Sequence, residues 1–251
     1  RPLESIGLVL AQTYNLTSKT ISKGTFITKE ILEYCPKNAK IINSAKLSLD
    51  QIMHEIVTEH RKGKDISRLH SGDLSVWSAM GEQIQRIKAE KIKFSITPGV
   101  PSFAAAAAAL EKELTLPYLS QSVILTRISG RASSVPESEK LEYFARTEAV
   151  LAIHLSVHRL SEIVDVLIPY YGKSCPVAIV WRASWPDQKI ITKTLNYFIN
   201  FENNILDRTA IIFVGKTLGD SKVRESSLYS INYDRRFRPT GSNPRFPDES
   251  N

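Results

Sequence analysis

Between residues 48 and 214 the chain alternates short apolar runs with stretches of helical periodicity, and this pattern leaves few folds open. Runs at 66–69, 91–96, 122–128, 149–155, 176–182 and 210–214 have the length and apolar content of strands. Between them, 48–62, 77–90, 102–113 and 158–167 read as helices. The first helix opens on a capping-box pattern, Ser48 and Gln51, with Ile52, Ile56 and Val57 near one face. Trp77, Met80, Ile84 and Ile87 share a face of the second, and the third is rich in alanine, the best helix former. Ser134 and Glu137 flank a further helix start, with Pro136 in its first turn. Strands that alternate with helices predict an α/β fold with mainly parallel sheets. The continuous run Val177-Ala178-Ile179-Val180 is that of a strand buried on both faces.

Periodicity lapses at a proline within 113–120, ELTLPYLS. The division expected there gives an N-terminal α/β domain, 1–113, a C-terminal one, 114–217, and a polar tail, 218–251. Within that tail, 240–251 is expected to be disordered.

Bulk properties exclude several classes. Of 251 residues, 42% are hydrophobic and 24% charged, as in ordinary globular proteins. No apolar run approaches the roughly 20 residues that span a bilayer, so a membrane is not an expected partner. No signal peptide is apparent. The chain begins with Arg1 rather than methionine, and its natural start is expected to be missing. Cys35 and Cys175 are isolated and outside any CxxC motif, which fits a reducing, cytoplasmic setting. The net charge of +7 admits an anionic partner or simply a solvated basic surface. Residues 1–47 hold seven Lys/Arg against three Asp/Glu, and Arg235, Arg236 and Arg238 add to the tail. No zinc-finger, RRM-type or basic-heptad signature accompanies this charge, and nucleic acid is not an expected partner.

The common catalytic signatures are absent. His54-Glu55 begins like a zincin motif, but Thr58 stands where the second histidine belongs. His154 and His158 have no carboxylate or cysteine nearby to complete a metal site. Gly7 has no second glycine at dinucleotide-binding spacing, and no P-loop or nucleophile elbow occurs.

Three clusters at strand ends remain. They are Ser71-Gly72-Asp73 with Ser75 and Val76, Thr97-Pro98-Gly99-Val100-Pro101-Ser102, and Arg182-Ala183-Ser184-Trp185-Pro186. Each can be turn chemistry alone. On one sheet edge they would form a small-molecule cleft, the usual place for ligands in open α/β sheets. A glycine in such a turn lets the backbone approach a ligand closely. Arg127, Arg131 and Arg182 also sit at or just past strand ends and suit an acidic ligand, or a surface ion pair.

At these residues the chain resembles the tetrapyrrole methylase family, which builds the corrin ring of vitamin B12. The resemblance rests on RLHSGDLSVWSAMGEQ, ITPGVPSFAAAAAAL, ELTLP, VILTRISGRASSVPE, LAIHLSVH and CPVAIVWRASWPDQ, and it runs from about Gly24 to Pro239. Within the family these runs are most similar to members that methylate ring carbon 11 of the corrin precursor. A cobalt-free substrate of the oxygen-dependent pathway is the first reading, and the cobalt-bearing anaerobic substrate the second. The resemblance implies two α/β domains with S-adenosylmethionine in the cleft between them, a tetrapyrrole as methyl acceptor and a homodimer. It implies mainly main-chain cofactor contacts at Ser71, Gly72, Asp73, Val76, Pro101, Ser102, Leu155 and Ala183. Arg127, Arg131 and Arg182 are implied partners of substrate carboxylates. No catalytic side chain and no resident metal are implied, and Asp73 is expected to hold its loop rather than act as a base.

One stretch departs from the family. Its first strand normally leads into a GxGPGD loop and then LLT. Here Ile6-Gly7 and Leu16-Thr17 match the ends of that motif, while the residues from Leu8 to Asn15 lack its glycines and proline. About fifteen residues are expected to be missing before Gly24, with part of the cleft altered, so that an inactive remnant is the third reading. Leu74, where the wider family has proline after Gly-Asp, is a tolerated variant.

Overall fold

A computed structural model describes residues 20–23, 29–130, 133–202, 206 and 209–220. Two sheets organise them. The smaller holds β1 (Thr20–Lys23), β2 (Lys40–Asn43) and β3 (Ile66–Leu69), all parallel, in the order β2-β1-β3. The larger holds β4 (Val123–Thr126), β5 (Val150–His154), β6 (Pro176–Trp181), β7 (Lys189–Thr194) and β8 (Ala210–Val214), in the order β4-β5-β8-β6-β7.

The expected parallel character holds for the first sheet only. In the second, β4 and β5 are parallel, but β8 runs antiparallel to both β5 and β6, and β7 antiparallel to β6. Both β5 and β6 therefore point the same way, and their carboxyl ends face the start of β8. The register puts His154 and Val180 opposite Ile211 in one row, with Trp181 opposite Ala210.

Helices cover the sheets. After α1 (Lys29–Leu32), α2 (Leu49–Arg61) starts at the predicted capping box. The Gln51 N–H donates to Ser48 Oγ at 3.2 Å, and the Ser48 N–H donates to Gln51 Oε1 at 2.8 Å. Ile52, Met53 and Ile56 of this helix pack with Ile66, Ile87 and Ile92 in a small core under the first sheet. Glu59, in the last turn of the same helix, is almost fully buried, yet hydrogen-bonded ion pairs with Lys64, then Lys62 and Lys40, hold its pKa down to about 2.

The next helix, α3 (Met80–Ala89), begins three residues later than its periodicity predicts. Trp77 and Ala79 take left-handed φ of 47° and 54°, which no right-handed helix accommodates. The strand expected at 91–96 does not form. Lys91 is left-handed, and the Ile92 N–H is bonded back to the Ile87 carbonyl at 3.2 Å. The first residues of the apolar run are thus consumed in stopping α3. The rest leaves Phe94 43% and Ile96 49% exposed.

A similar stop shortens α4 (Ser102–Ala109), where Glu111 is left-handed and the Lys112 N–H reaches the Ala107 carbonyl. The start expected around Ser134–Glu137 is a 3-10 turn, Glu137–Glu139, followed by α5 (Leu141–Ala145). The later helix, α6 (Leu160–Tyr171), runs past its predicted end, and α7 (Leu195–Phe198) follows β7.

The central strands of the second sheet, β5, β8 and β6, are buried on both faces, and their side chains alternate accordingly. Leu151, Ile153, Val177, Ile179 and Ile212 face α6 with Ile163, Val164 and Leu167. Val150, Ala152, Ala178, Val180, Ile211 and Phe213 face the other way, against Ala106 and Ala107 of α4. The alanine helix therefore docks on the second sheet, and its small side chains permit that approach. Among the described residues no helix is long and apolar enough to cross a membrane.

Candidate functional site

The loops that leave β3 and β6 carry the first and third sequence clusters, while the second, 97–102, follows no strand and joins α3 to α4. The β3 loop and the 97–101 turn are locked together. Gly72 has φ 69°, and a β-carbon on Gly99 would lie 2.0 Å from the Gly72 carbonyl oxygen. No side chain can occupy that contact. Asp73 ties the pair from the other side. Its carboxylate accepts the Gly99 N–H at 2.7 Å and the Ser75 N–H at 2.8 Å, and the Ser75 hydroxyl donates to it as well. Hydrogen bonds from Ser75 and then Gly99 hold its pKa down to about 2, so it is ionised at neutral pH. An ionised carboxylate spent on main-chain donors holds a loop and is a poor base.

The other predicted contacts surround this double turn. Ser71 is exposed and Val76 half-buried. Pro101 stands at the entry of α4, its carbonyl accepting the Ala104 and Ala105 N–H groups at 3.0 and 3.1 Å, with Ser102 the exposed first residue of the helix. Leu155 follows β5, exposed and left-handed at φ 53°. Ala183 follows β6 and packs with the α4 face of the second sheet.

The bridge between the two halves is a residue set aside above as an incomplete metal ligand. His154 ends β5 at 5% exposure. Trp77 of the β3 loop lies against it with ring centroids 4.5 Å apart, and Phe103 of α4 approaches edge-on at 6.5 Å. The Ser156 hydroxyl donates to the His154 carbonyl at 2.6 Å and accepts the Ile128 N–H at 3.1 Å, fastening the ends of β4 and β5. Burial presses the imidazole pKa down to about 4, so it is neutral near pH 7, and its Nε2 has no hydrogen-bond partner. His70, just before Ser71, shows the same pair of features, its pKa lowered to about 4 first by burial and then by Arg68.

The arginines are placed differently. Arg127 leaves β4 at the level of His154, but its guanidinium donates to the Ser133 carbonyl at 3.1 Å, Ser133 Oγ at 2.7 Å and the Ser134 carbonyl at 3.3 Å. It braces the loop after β4. Arg182, left-handed at φ 50°, lies over the Trp181 ring at 4.4 Å and the Trp185 ring at 5.1 Å and pairs with Asp187. Its Nε is buried without a partner. Two strand spacings, about 10 Å, separate the ends of β5 and β6, which sets Leu155 and Arg182 at the same edge of the second sheet. Arg131 lies outside the described residues, as do Ile6-Gly7, Leu16-Thr17 and residues 221–251.

Main-chain groups, two glycines and left-handed strand-end residues make this site, and its hydroxyl–carboxylate pair, Ser75 with Asp73, is spent on holding the loop. Among the described residues no group of three or more His, Cys, Asp or Glu could hold a metal ion. A spread of glycine-faced backbone beside a buried, unsatisfied imidazole suits a polar small molecule held mainly by main chain.

Comparison with known proteins agrees with this geometry. The sequence profile of the Tetrapyrrole (Corrin/Porphyrin) Methylases matches residues 16–198. The precorrin-4 C(11)-methyltransferase of a Sinorhizobium species is 52% identical over 219 residues, 87% of each chain. The crystal structure of a cobalt-precorrin-4 methyltransferase superposes with a TM-score of 0.79 at 31% identity, covering 84% of this chain and 89% of that one. A uroporphyrin-III C-methyltransferase from Thermus thermophilus, complexed with S-adenosylhomocysteine, shares the fold with a TM-score of 0.67 at 19% identity, covering 84% of this chain and 91% of that one.

Proposed function

The chain belongs to the tetrapyrrole methylase family, and from that premise we propose that it methylates precorrin-4 at ring carbon 11 to give precorrin-5, with S-adenosylmethionine as donor. The observation that carries the reading is the Gly72–Gly99 contact, a backbone cradle closed to side chains at the carboxyl edge of a sheet.

The residues present fit the donor. Ser71, Gly72, Asp73, Val76, Pro101, Ser102, Leu155 and Ala183 offer main chain and small surfaces around one opening, which suits a nucleoside recognised by shape and backbone. When bound, S-adenosylmethionine supplies an electrophilic methyl group whose carbon–sulfur bond breaks as the new carbon–carbon bond forms, the sulfonium becoming a neutral thioether. The protein's share is alignment, which alone can contribute up to about 7–11 kcal/mol. No acid–base pair is required, in keeping with the neutral His154 and the loop-bound Asp73. Trp77 and Phe103 pack against the His154 ring beside the locked turns. Arg182, whose buried Nε has no partner, and Arg131 are proposed to meet substrate carboxylates. Arg127 reaches them only by releasing Ser133 and Ser134.

Incubation with precorrin-4 and S-adenosylmethionine is expected to add one methyl mass. No gain, beside an active relative, overturns the proposal. Cobalt-precorrin-4 offered in parallel decides the second reading, which the 31% identical cobalt-precorrin-4 methyltransferase supports. Exclusive turnover of the cobalt form would replace the first. The protein is further proposed to act as a homodimer, which sedimentation would test.

A further inference from the structure

We infer that His154 offers its Nε2 to the S-adenosyl ligand, a side-chain hydrogen bond within a cradle otherwise made of main chain. The inference deepens the methyl-donor reading and rests on it.

Three observations lead there. First, the imidazole is 5% exposed and its Nε2 is buried with no partner. An unsatisfied buried polar group costs roughly 1–3 kcal/mol, a cost that a ligand bonded to Nε2 would offset. Second, the ring is fixed by two elements other than its own. Trp77 comes from the loop that carries Gly72, and Phe103 from the helix that follows Gly99. His154 thus stands where the locked double turn meets the second sheet. Third, the strand end itself is secured: Ser156 bonds both the His154 carbonyl and the Ile128 N–H, and Leu155 is held in a left-handed conformation beside it. A side chain so braced is preorganised to bond a ligand at little entropic cost.

The chemistry selects among ligands. A neutral imidazole carries one donor and one acceptor nitrogen and suits the hydroxyl and ring-nitrogen groups of a nucleoside. It adds no positive charge beside a sulfonium.

The test uses the full chain with S-adenosylhomocysteine as the calorimetric probe. His154→Phe keeps the ring stack and removes the orphan nitrogen. It is expected to hold or raise the melting temperature while weakening binding about tenfold, the loss of one hydrogen bond. His154→Gln is expected to recover most of that loss. In wild-type protein labelled with 15N-histidine, saturation with the probe should shift the His154 Nε2 resonance, a readout that a packing role would not move. Unchanged affinity in His154→Phe with an unmoved Nε2 resonance overturns the inference and leaves the methyl-donor reading standing. Failure of wild-type protein to bind either S-adenosylmethionine or S-adenosylhomocysteine overturns both.

Discussion

Gly72 and Gly99 stand so close that a β-carbon on Gly99 would come within 2.0 Å of the Gly72 carbonyl oxygen and 3.0 Å of its carbon. They are 27 positions apart in the chain, and each lies in a turn that the sequence marks as a separate cluster. Asp73 fastens the contact by accepting the Gly99 N–H. The candidate cradle is therefore one object built from two turns.

Gly99→Ala is expected to abolish S-adenosylhomocysteine binding, because the methyl group collides with backbone rather than with a flexible side-chain end. Gly72→Ala is expected to be milder. Its β-carbon would meet only the Val100 carbonyl oxygen at 3.6 Å, leaving the left-handed φ of 69° as the main cost, about 1–2 kcal/mol. Calorimetric titration of both variants, with circular dichroism to verify folding, checks the order. Equal binding by the Gly99 variant would remove the double turn from the site.

Asp73 predicts a dependence on acid. Its pKa is about 2 in the folded chain against an ordinary 3.8. A carboxylate lowered in this way stabilises the fold fully above its unfolded pKa and loses that contribution as pH falls through the folded one. Asp73→Ala should thus be less stable than wild type near neutrality, with the gap closing between about pH 4 and about pH 2. Thermal melts of both proteins across that range test this, and a gap independent of pH contradicts it.

Phe213 is fully buried in the layer where the alanine helix meets the second sheet. Phe213→Ala should cost about 3–5 kcal/mol by opening a cavity there. Because the same layer seats the helix that follows Gly99, probe affinity should also fall in protein that remains folded. Denaturant unfolding and titration of one preparation report both, and a stability loss below 1 kcal/mol, well under that range, would place Phe213 outside the core.

Ser48→Ala removes one half of the reciprocal cap of α2 and should cost about 1 kcal/mol without touching ligand affinity. A comparable loss of affinity would couple the small core to the site. The capping box is also the clearest case of a feature legible in the sequence, since it needs only residues three positions apart. The same holds for β5, β6 and β8, whose apolar runs are long enough to mark strands unaided.

Other elements were not legible. Lys189–Thr194 mixes lysine, isoleucine and threonine with no clean alternation, is largely exposed, and becomes a strand only because β6 offers it an edge. Residues 91–96 carry a better apolar run and gain no such partner among the described residues, so Phe94 and Ile96 stay outside. The late start of α3 depends on two left-handed residues, Trp77 and Ala79, of types that give no warning of it.

The sequence by itself determined the α/β class, the family and the turns able to bring backbone near a ligand, because these follow from local periodicity, turn chemistry and contiguous motifs. Only the tertiary structure decided that β8 runs against its neighbours, that Gly99 seats on Gly72, that Arg182 lies between two tryptophans, and that His154 is buried with a free Nε2 beneath Trp77. Those are relations between residues distant in the chain, and packing, burial and desolvation act on such relations only after the chain has closed upon itself.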